Sequence, residues 1–170
     1  MNQKRSDPLD LIELPSLEGV GLRDAPAEPG EPYRIRILIA DDHIVVLEGL
    51  IAIIGRQSDM TVVGQASNGQ DAVAQWCQCK PDVSLLDLRM PVLDGVGAID
   101  AIRRMEQFAR IVVLTTFDSD EDIERAIQAG AKAYLLKDSP RDVLLDCIRK
   151  VHAGKSFLPP GSSSKPIPPK

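Results

Sequence analysis

The sequence predicts an α/β domain with a doubly wound, five-stranded parallel sheet. Short apolar runs alternate with helical patterns five times between residues 35 and 154. Strict alternation of this kind implies right-handed crossovers, with helices on both faces of the sheet. Only three of the 13 prolines fall in this stretch, whereas five lie in residues 1–34 and five in 155–170. Because helix and strand interiors reject proline, one folded domain is expected between two proline-rich ends.

The expected strands are continuous apolar runs, which are typical of strands buried on both faces. The first is Ile35–Ala40, and the third is Val83–Asp87. In chain order the five runs are 35–40, 61–66, 83–87, 110–115 and 133–136.

The helices between the strands are predicted from apolar spacing and from end signals. Asn68 can cap the second helix, Gly130 is a typical residue after a helix end, and Pro140 suits the first turn of the last helix. The first helix has apolar residues at helical spacing, namely Val46, Leu47, Leu50, Ile51 and Ile54. The five helices are expected at about 43–56, 68–79, 95–105, 119–130 and 139–152.

Composition excludes several classes of protein. Apolar residues make up 44% of the chain, too many for disorder throughout, and no apolar run approaches the roughly 18 residues of a membrane span. The polar, acidic N-terminus is not a secretory signal. Three cysteines (Cys77, Cys79 and Cys147) are too few and wrongly spaced for a zinc site or a disulfide framework. They fit a reducing compartment, so we expect a cytoplasmic protein with no membrane partner.

The charge of the chain is unevenly spread. The net charge is −5, with −3 in residues 1–34 and +3 in residues 155–170. The clustered positive charge that a nucleic-acid surface needs is lacking. We expect residues 1–33 to be a disordered, acidic, proline-rich leader, residues 34–154 to be the folded domain, and residues 155–170 to be a linker or tail.

Polar side chains stand at the carboxyl ends of four predicted strands. Asp41 and Asp42 follow the first strand, Asp87 ends the third, Thr115 ends the fourth, and Lys137 follows the fifth. Ligands of open parallel sheets bind at this edge. Three carboxylates repel one another unless some are protonated or a cation binds, and an all-oxygen set suits magnesium. Together with the lysine, such a site suits a carboxylate nucleophile that accepts a phosphoryl group.

Four motifs in this order resemble the receiver domain of bacterial two-component response regulators over about residues 34–154. They are Ile39-Ala-Asp-Asp-His43, Leu86-Asp-Leu-Arg-Met-Pro91 with Asp94-Gly95, Val113-Leu-Thr-Thr116, and Ala133-Tyr-Leu-Leu-Lys-Asp138. Further short segments, such as Val63-Gly-Gln-Ala66 and His152-Ala-Gly154, resemble the NarL/FixJ subfamily. The resemblance implies a flavodoxin-like fold with strand order 2-1-3-4-5.

The resemblance also implies a phosphorylation site with a magnesium ion as cofactor. Asp87 would be the phosphoacceptor and a metal ligand. Asp42 would bind Mg²⁺ directly, Asp41 would act through water, and the third protein ligand would be the backbone carbonyl of Arg89.

Three further residues would sense the phosphoryl group. Lys137 would pair with Asp87 and then with the phosphoryl group, and Thr115 would donate a hydrogen bond to it. Tyr134 would be the switch aromatic, whose ring turns inward when Thr115 moves. The implied readout is the face formed by helix 4, strand 5 and helix 5, which is also a possible homodimer surface.

The resemblance implies a sensor histidine kinase as partner and a transcriptional output through DNA. DNA would be bound only by an output domain, which is expected to be absent from this chain. Residues 157–160 resemble the start of the usual linker, but residues 161–170 show no helical pattern. The chain is therefore either a truncated protein or a receiver without its own DNA-binding domain.

Three other functions compete with this interpretation. A phosphatase of the haloacid dehalogenase type needs a second Asp two residues after the nucleophile, where this chain has Arg89. A pseudo-receiver that is never phosphorylated would not need the full set of acidic, hydroxyl and lysine residues. A flavin-binding protein of this architecture would want a hydroxyl-rich loop after strand 1, where this chain is acidic. We therefore expect no enzyme, apart from self-phosphotransfer and autodephosphorylation.

Two residues near these motifs are expected to have structural or contact roles. His43 adjoins the acidic pair, but a hard oxygen site needs no imidazole, so an orienting or partner-contact role is expected. Trp76 is the only tryptophan and is expected to pack on the domain.

Overall fold

The computed structural model describes residues 32–116 and 119–158. Within them, strands and helices alternate as the sequence predicts. The strands are β1 (Ile35–Ala40), β2 (Met60–Ala66), β3 (Val83–Asp87), β4 (Ile111–Thr115) and β5 (Ala133–Leu136), and the helices are α1 (Ile44–Gly55), α2 (Gly69–Cys79), α3 (Gly95–Met105), α4 (Asp120–Ala129) and α5 (Arg141–His152). Every strand pair is parallel, and the strand order is β2-β1-β3-β4-β5. The predicted fold class and strand order are confirmed.

Helix ends follow local capping chemistry. The Asn68 side chain accepts a hydrogen bond from the backbone N–H of Asp71 and caps α2. Ser119 caps the start of α4, and Gly130, the residue after its end, has a φ of 110°, in the left-handed region that favours glycine. Pro140 lies at the N-cap of α5 instead of inside its first turn. Proline is suited to this end of a helix because it has no N–H to leave unpaired.

The core forms two apolar layers, one on each face of the sheet. Ile37 and Ile39 of β1 lie in the layer under α1 and α5. Leu38 and Ala40 lie in the opposite layer, which packs under α2, α3 and α4 and includes Trp76. Successive residues of a strand point to opposite faces, so the central residues of β1, which are covered on both sides, are all apolar.

The strand register sets the position of the polar edge. Ala40 pairs with Leu86, so Asp41 and Asp87 each come one residue later on neighbouring strands. Thr115 pairs with Leu136, so Lys137 comes one residue beyond Thr115. The carboxyl ends of four strands are therefore aligned to within about a residue, and their polar side chains meet.

Short contacts tie both ends of the described chain to the domain. The Tyr33 ring stacks on His152, with ring centroids 5.9 Å apart. Phe157 pairs beside β5, since its N–H donates to the Lys132 carbonyl (2.9 Å) and its carbonyl accepts from the Tyr134 N–H (3.1 Å). Most of the predicted leader and tail lie outside the described residues, and the predicted domain bounds stay a prediction. None of the helices described is both long and apolar enough to cross a membrane.

Candidate functional site

Lys137 lies between two buried carboxylates at the carboxyl edge of the sheet. Its Nζ is 2.7 Å from Asp41 Oδ2 and 3.1 Å from Asp87 Oδ2. The side chains of Asp41, Asp87 and Lys137 are 1%, 3% and 9% exposed. One ammonium group therefore faces two carboxylates in a nearly dry setting, where charges interact strongly.

Asp42 and His43 form the solvent side of this cluster. The Asp42 side chain is 33% exposed, and the His43 Nδ1 lies 3.0 Å from its Oδ1. The same Nδ1 is 3.3 Å from Asp41 Oδ1, which also accepts a hydrogen bond from the His43 backbone N–H at 2.9 Å. The exposed imidazole thus lies at the solvent side of the acidic cluster, and its orienting or partner-contact role stays a prediction.

Burial makes the charge of Asp87 unfavourable. Desolvation raises the pKa of Asp87 above its ordinary value, and although Lys137 lowers this pKa, the nearby charge of Asp41 raises it further. Burial lowers the pKa of Lys137, but its bonds to Asp41 and Asp87 outweigh that effect and raise this pKa overall. Lys137 is therefore charged at neutral pH, and the excess charge of the cluster is negative.

The donor set fits a hard divalent cation. Asp41, Asp42, His43 and Asp87 each offer one ligand atom, and these atoms all lie within 4.8 Å of one another. With Lys137 included, three carboxylates and one ammonium carry a net charge of −2. Mg²⁺ prefers carboxylate oxygens and usually keeps several waters, and the exposed Asp42 leaves room for them. The residues therefore fit a magnesium ion.

The predicted phosphoryl-sensing residues Thr115 and Tyr134 lie on the neighbouring strands β4 and β5, beside this cluster. Thr115 is buried at the end of β4, and its carbonyl accepts a hydrogen bond from the Lys137 N–H at 2.8 Å. Tyr134 is buried two residues before Leu136 in β5, in the layer under α2, α3 and α4. The structure brings Thr115 close to Lys137 and holds the Tyr134 ring inside the domain.

The loop after Asp87 packs closely on its own strand. The Gly95 N–H donates to the Leu88 carbonyl at 2.9 Å, and a Cβ on Gly95 would meet the Asp87 carbonyl and come within 2.7 Å of the Leu88 Cα. Only glycine allows this approach. Val92, in the same loop, has a φ of 69°, which β-branched residues rarely adopt. The loop that carries the site is thus held in a constrained conformation.

Ion pairs that sequence reasoning missed connect this loop to α4. Arg89 Nη2 lies 3.4 Å from Asp122 Oδ2, and Arg125 lies 3.8 Å from Asp94 and 3.9 Å from Asp122. The sequence motifs assign a binding role to the backbone carbonyl of Arg89 but no contact to its side chain. The partner of its side chain lies 33 residues away on another element, and no local pattern indicates such a pair.

Comparison with known proteins shows which family and which relatives this chain is similar to. Residues 37–149 match the response regulator receiver domain. The chain is 41% identical over 134 residues to the transcriptional regulatory protein YxjL of Bacillus subtilis, over 79% of this chain and 62% of that protein. It is 36% identical over 126 residues to the response regulator protein VraR of Staphylococcus aureus, over 74% of this chain and 60% of that protein. The chain thus spans about three fifths of the length of these relatives.

Two solved structures are similar in sequence and in fold. A two-component response regulator of the LuxR family from Aurantimonas sp. SI85-9A1 has a TM-score of 0.71 and 31% identity, over 75% of this chain and 91% of that one. The signal receiver domain of the putative response regulator NarL from Mycobacterium tuberculosis has a TM-score of 0.65 and 34% identity, over 69% of this chain and 98% of that one.

Proposed function

Since this chain belongs to the response regulator receiver family, we propose that it is a phosphorylation-controlled signalling switch. Asp87 accepts a phosphoryl group from a sensor histidine kinase in a magnesium-dependent reaction. The observation that carries the proposal is the position of Lys137, between the buried carboxylates of Asp41 and Asp87. One cation held against two buried acids makes a pocket in which an incoming phosphoryl group finds a positive charge.

The proposed reaction is a phosphoryl transfer between side chains. An Asp87 carboxylate oxygen forms a bond to phosphorus while the phosphorus–nitrogen bond of the donor phosphohistidine breaks, and the electron pair of that bond returns to the imidazole nitrogen. Lys137 stays charged and faces the oxygens of the new acyl phosphate. A magnesium ion held by Asp41, Asp42, Asp87 and the Arg89 carbonyl would neutralise charge on the phosphoryl oxygens. Charge neutralisation and positioning supply most of the catalysis in such transfers.

The proposed switch runs from the site to the edge of the sheet. Thr115 donates a hydrogen bond to the phosphoryl oxygen, and this interaction keeps the Tyr134 ring in the inward position that it already occupies here. Because the Thr115 carbonyl already holds the Lys137 backbone N–H, a movement of Thr115 acts directly on the end of β5. The surface formed by α4, β5 and α5 is the proposed readout and a possible homodimer face.

The proposed output is regulation of transcription in the cytoplasm. The relatives YxjL and VraR are named as a transcriptional regulatory protein and a response regulator protein, which supports this output. Any binding to DNA would depend on an output domain. The activity expected of the chain itself is self-phosphotransfer and autodephosphorylation.

A small phosphodonor tests the proposal without a kinase. Acetyl phosphate with Mg²⁺ should add one phosphoryl group, measured by intact mass, and Asp87→Asn should abolish the adduct. Asp142→Asn is the matched control, because this α5 side chain is 89% exposed and pairs with Arg141, and it should be phosphorylated like the parent. A parent chain that gains no phosphoryl group would be a pseudo-receiver. Steady hydrolysis of a phosphomonoester would instead favour the phosphatase.

A further inference from the structure

The ion pair between Arg89 and Asp122 joins the loop after Asp87 to the first turn of α4. The Arg89 Nη2 is 3.4 Å from the Asp122 Oδ2, with the arginine side chain 65% exposed and the aspartate 22% exposed. Exposed pairs of this kind are weak. Asp122 also lies 3.9 Å from Arg125, which reaches Asp94 of the same loop at 3.8 Å. Asp122 therefore keeps a second cationic neighbour if Arg89 leaves.

Arg89 is also close to the phosphoacceptor. Its backbone N–H donates a hydrogen bond to the Asp87 carboxylate. The Arg89 side chain therefore starts from a backbone position that is in contact with the phosphoacceptor. A phosphoryl group carries about −1.5 to −2 charges near neutral pH, with three acceptor oxygens. The planar guanidinium group binds phosphate through two parallel N–H donors. The phosphoryl group is thus a stronger partner for Arg89 than the single carboxylate it contacts now.

From this geometry we propose that Arg89 exchanges partners on phosphorylation, leaving Asp122 of α4 and binding the phosphoryl oxygens on Asp87. The inference rests on the proposed function, since it needs a phosphoryl group on Asp87. The exchange removes one of the two arginine contacts that link the loop to α4. It thereby couples the state of Asp87 to α4 by a route separate from Thr115 and Tyr134.

The exchange predicts that removing the Arg89 side chain and removing the Asp122 charge have opposite effects on phosphoryl binding at the site. Asp122 competes with the phosphoryl group for Arg89, so removing the Asp122 charge should favour binding at the site. Removing the Arg89 side chain should weaken it, while the backbone carbonyl proposed as a metal ligand stays in place. Once Arg89 is absent, changing Asp122 should have no further effect. A purely structural tether would instead give both variants effects of the same sign.

Titration with beryllofluoride, a non-covalent phosphoryl mimic, measures this as a binding equilibrium in saturating Mg²⁺. By calorimetry, Arg89→Ala should lower the affinity about ten-fold, the size expected for loss of a charge-assisted hydrogen bond. Asp122→Asn should raise it about two- to five-fold, in line with release from an exposed ion pair. The double variant should match Arg89→Ala. Arg104→Ala is the matched control, because the Arg104 side chain is 78% exposed and its Nη2 pairs with Asp100 Oδ2 on the same helix at 2.7 Å. This variant should bind beryllofluoride like the parent.

Hydrogen exchange gives a second readout at α4. In the parent, beryllofluoride should speed amide exchange in residues 120–123, and in Arg89→Ala this increase should be absent. Additive effects in the double variant, or an Arg89→Ala affinity equal to that of the parent, would overturn the exchange while leaving phosphorylation of Asp87 intact. A parent that neither binds beryllofluoride nor takes up phosphate would overturn the proposed function, and the exchange with it.

Discussion

Replacing Asp87 by Asn should stabilise the domain when no divalent metal is present. The substitution keeps the shape of the side chain and removes one negative charge from a buried cluster with a single lysine. Lys137 would then face the carboxylate of Asp41 alone, at 2.7 Å. The proposed phosphoacceptor is therefore expected to lower the stability of the metal-free domain, an effect opposite to that of most core substitutions.

The magnitude follows from the distances in the site. The attraction between Asp87 and Lys137 at 3.1 Å is about 5 kcal/mol at an effective dielectric constant of about 20. The ligand oxygens of Asp41 and Asp42 lie within 4.8 Å of that of Asp87, so each repels it by at least about 3.5 kcal/mol before solvent screening. Screening reduces the share of the exposed Asp42, while desolvation of the Asp87 charge adds to the cost. The repulsions and desolvation outweigh the attraction, and we expect a gain of about 1–3 kcal/mol.

The sign of the pH dependence follows from the raised pKa of Asp87. The folded chain keeps the Asp87 proton to a higher pH than the unfolded chain does. The free energy of unfolding of the parent therefore falls as pH rises from the ordinary pKa of 3.8 through the raised pKa. Asn does not titrate, so the advantage of Asp87→Asn should be largest at neutral pH and should vanish below pH 3.8.

The difference in the free energy of unfolding between the parent and Asp87→Asn is measured by urea unfolding in EDTA, followed by circular dichroism. The measurement runs from pH 4 to pH 8, roughly the window in which a carboxylate of raised pKa titrates. Asp142→Asn serves as control, because its exposed position on α5 should hold its effect within about 0.5 kcal/mol. Added Mg²⁺ should stabilise the parent more than Asp87→Asn, since the ion binds a more negative site. An Asp87→Asn domain that is less stable than the parent at neutral pH in EDTA would refute the electrostatic reasoning.

Three other predictions concern groups in or near the core. Lys137→Met should lower the free energy of unfolding in EDTA by about 3–5 kcal/mol, because two buried carboxylates lose their cation; urea unfolding measures it, and an unchanged midpoint would contradict it. Burial raises the pKa of the Cys147 thiol to about 12, and only the thiolate form of a cysteine is reactive. Cys147 should therefore resist a thiol reagent at pH 8 until the chain unfolds, whereas the exposed Cys77 should react in the native state. Phe157→Gly should speed hydrogen exchange at the Tyr134 amide, which now donates to the Phe157 carbonyl, and unchanged exchange would show that this pairing does not persist in solution.

Much of the fold could be predicted because its signals are local. Continuous apolar runs mark β1, β3 and β4, and Asn68, Ser119 and Gly130 mark helix ends through contacts within a few residues. The small differences also have local causes. Pro140 precedes α5 instead of lying inside it, and the first residue of β4 is Ile111 instead of Arg110.

The membership of the acidic site could be predicted for a related reason. Parallel strands present their carboxyl ends at one edge, so residues that end successive apolar runs must meet there. This rule predicts that Asp41, Asp87 and Lys137 meet, and in the structure the Lys137 Nζ lies 2.7 Å from Asp41 and 3.1 Å from Asp87. Their roles in phosphoryl transfer stay predictions, since proximity alone does not establish chemistry.

The sequence by itself determined the alternation of strands and helices and the residues that stand at the polar edge, because periodicity and chain direction are properties of short segments. Tertiary packing decided the contacts between distant segments. Examples are the Arg89 pair with Asp122 and the pairing of Phe157 beside β5. Each depends on how two elements are placed in space and on which rotamer bridges the gap, and local sequence carries no information on either.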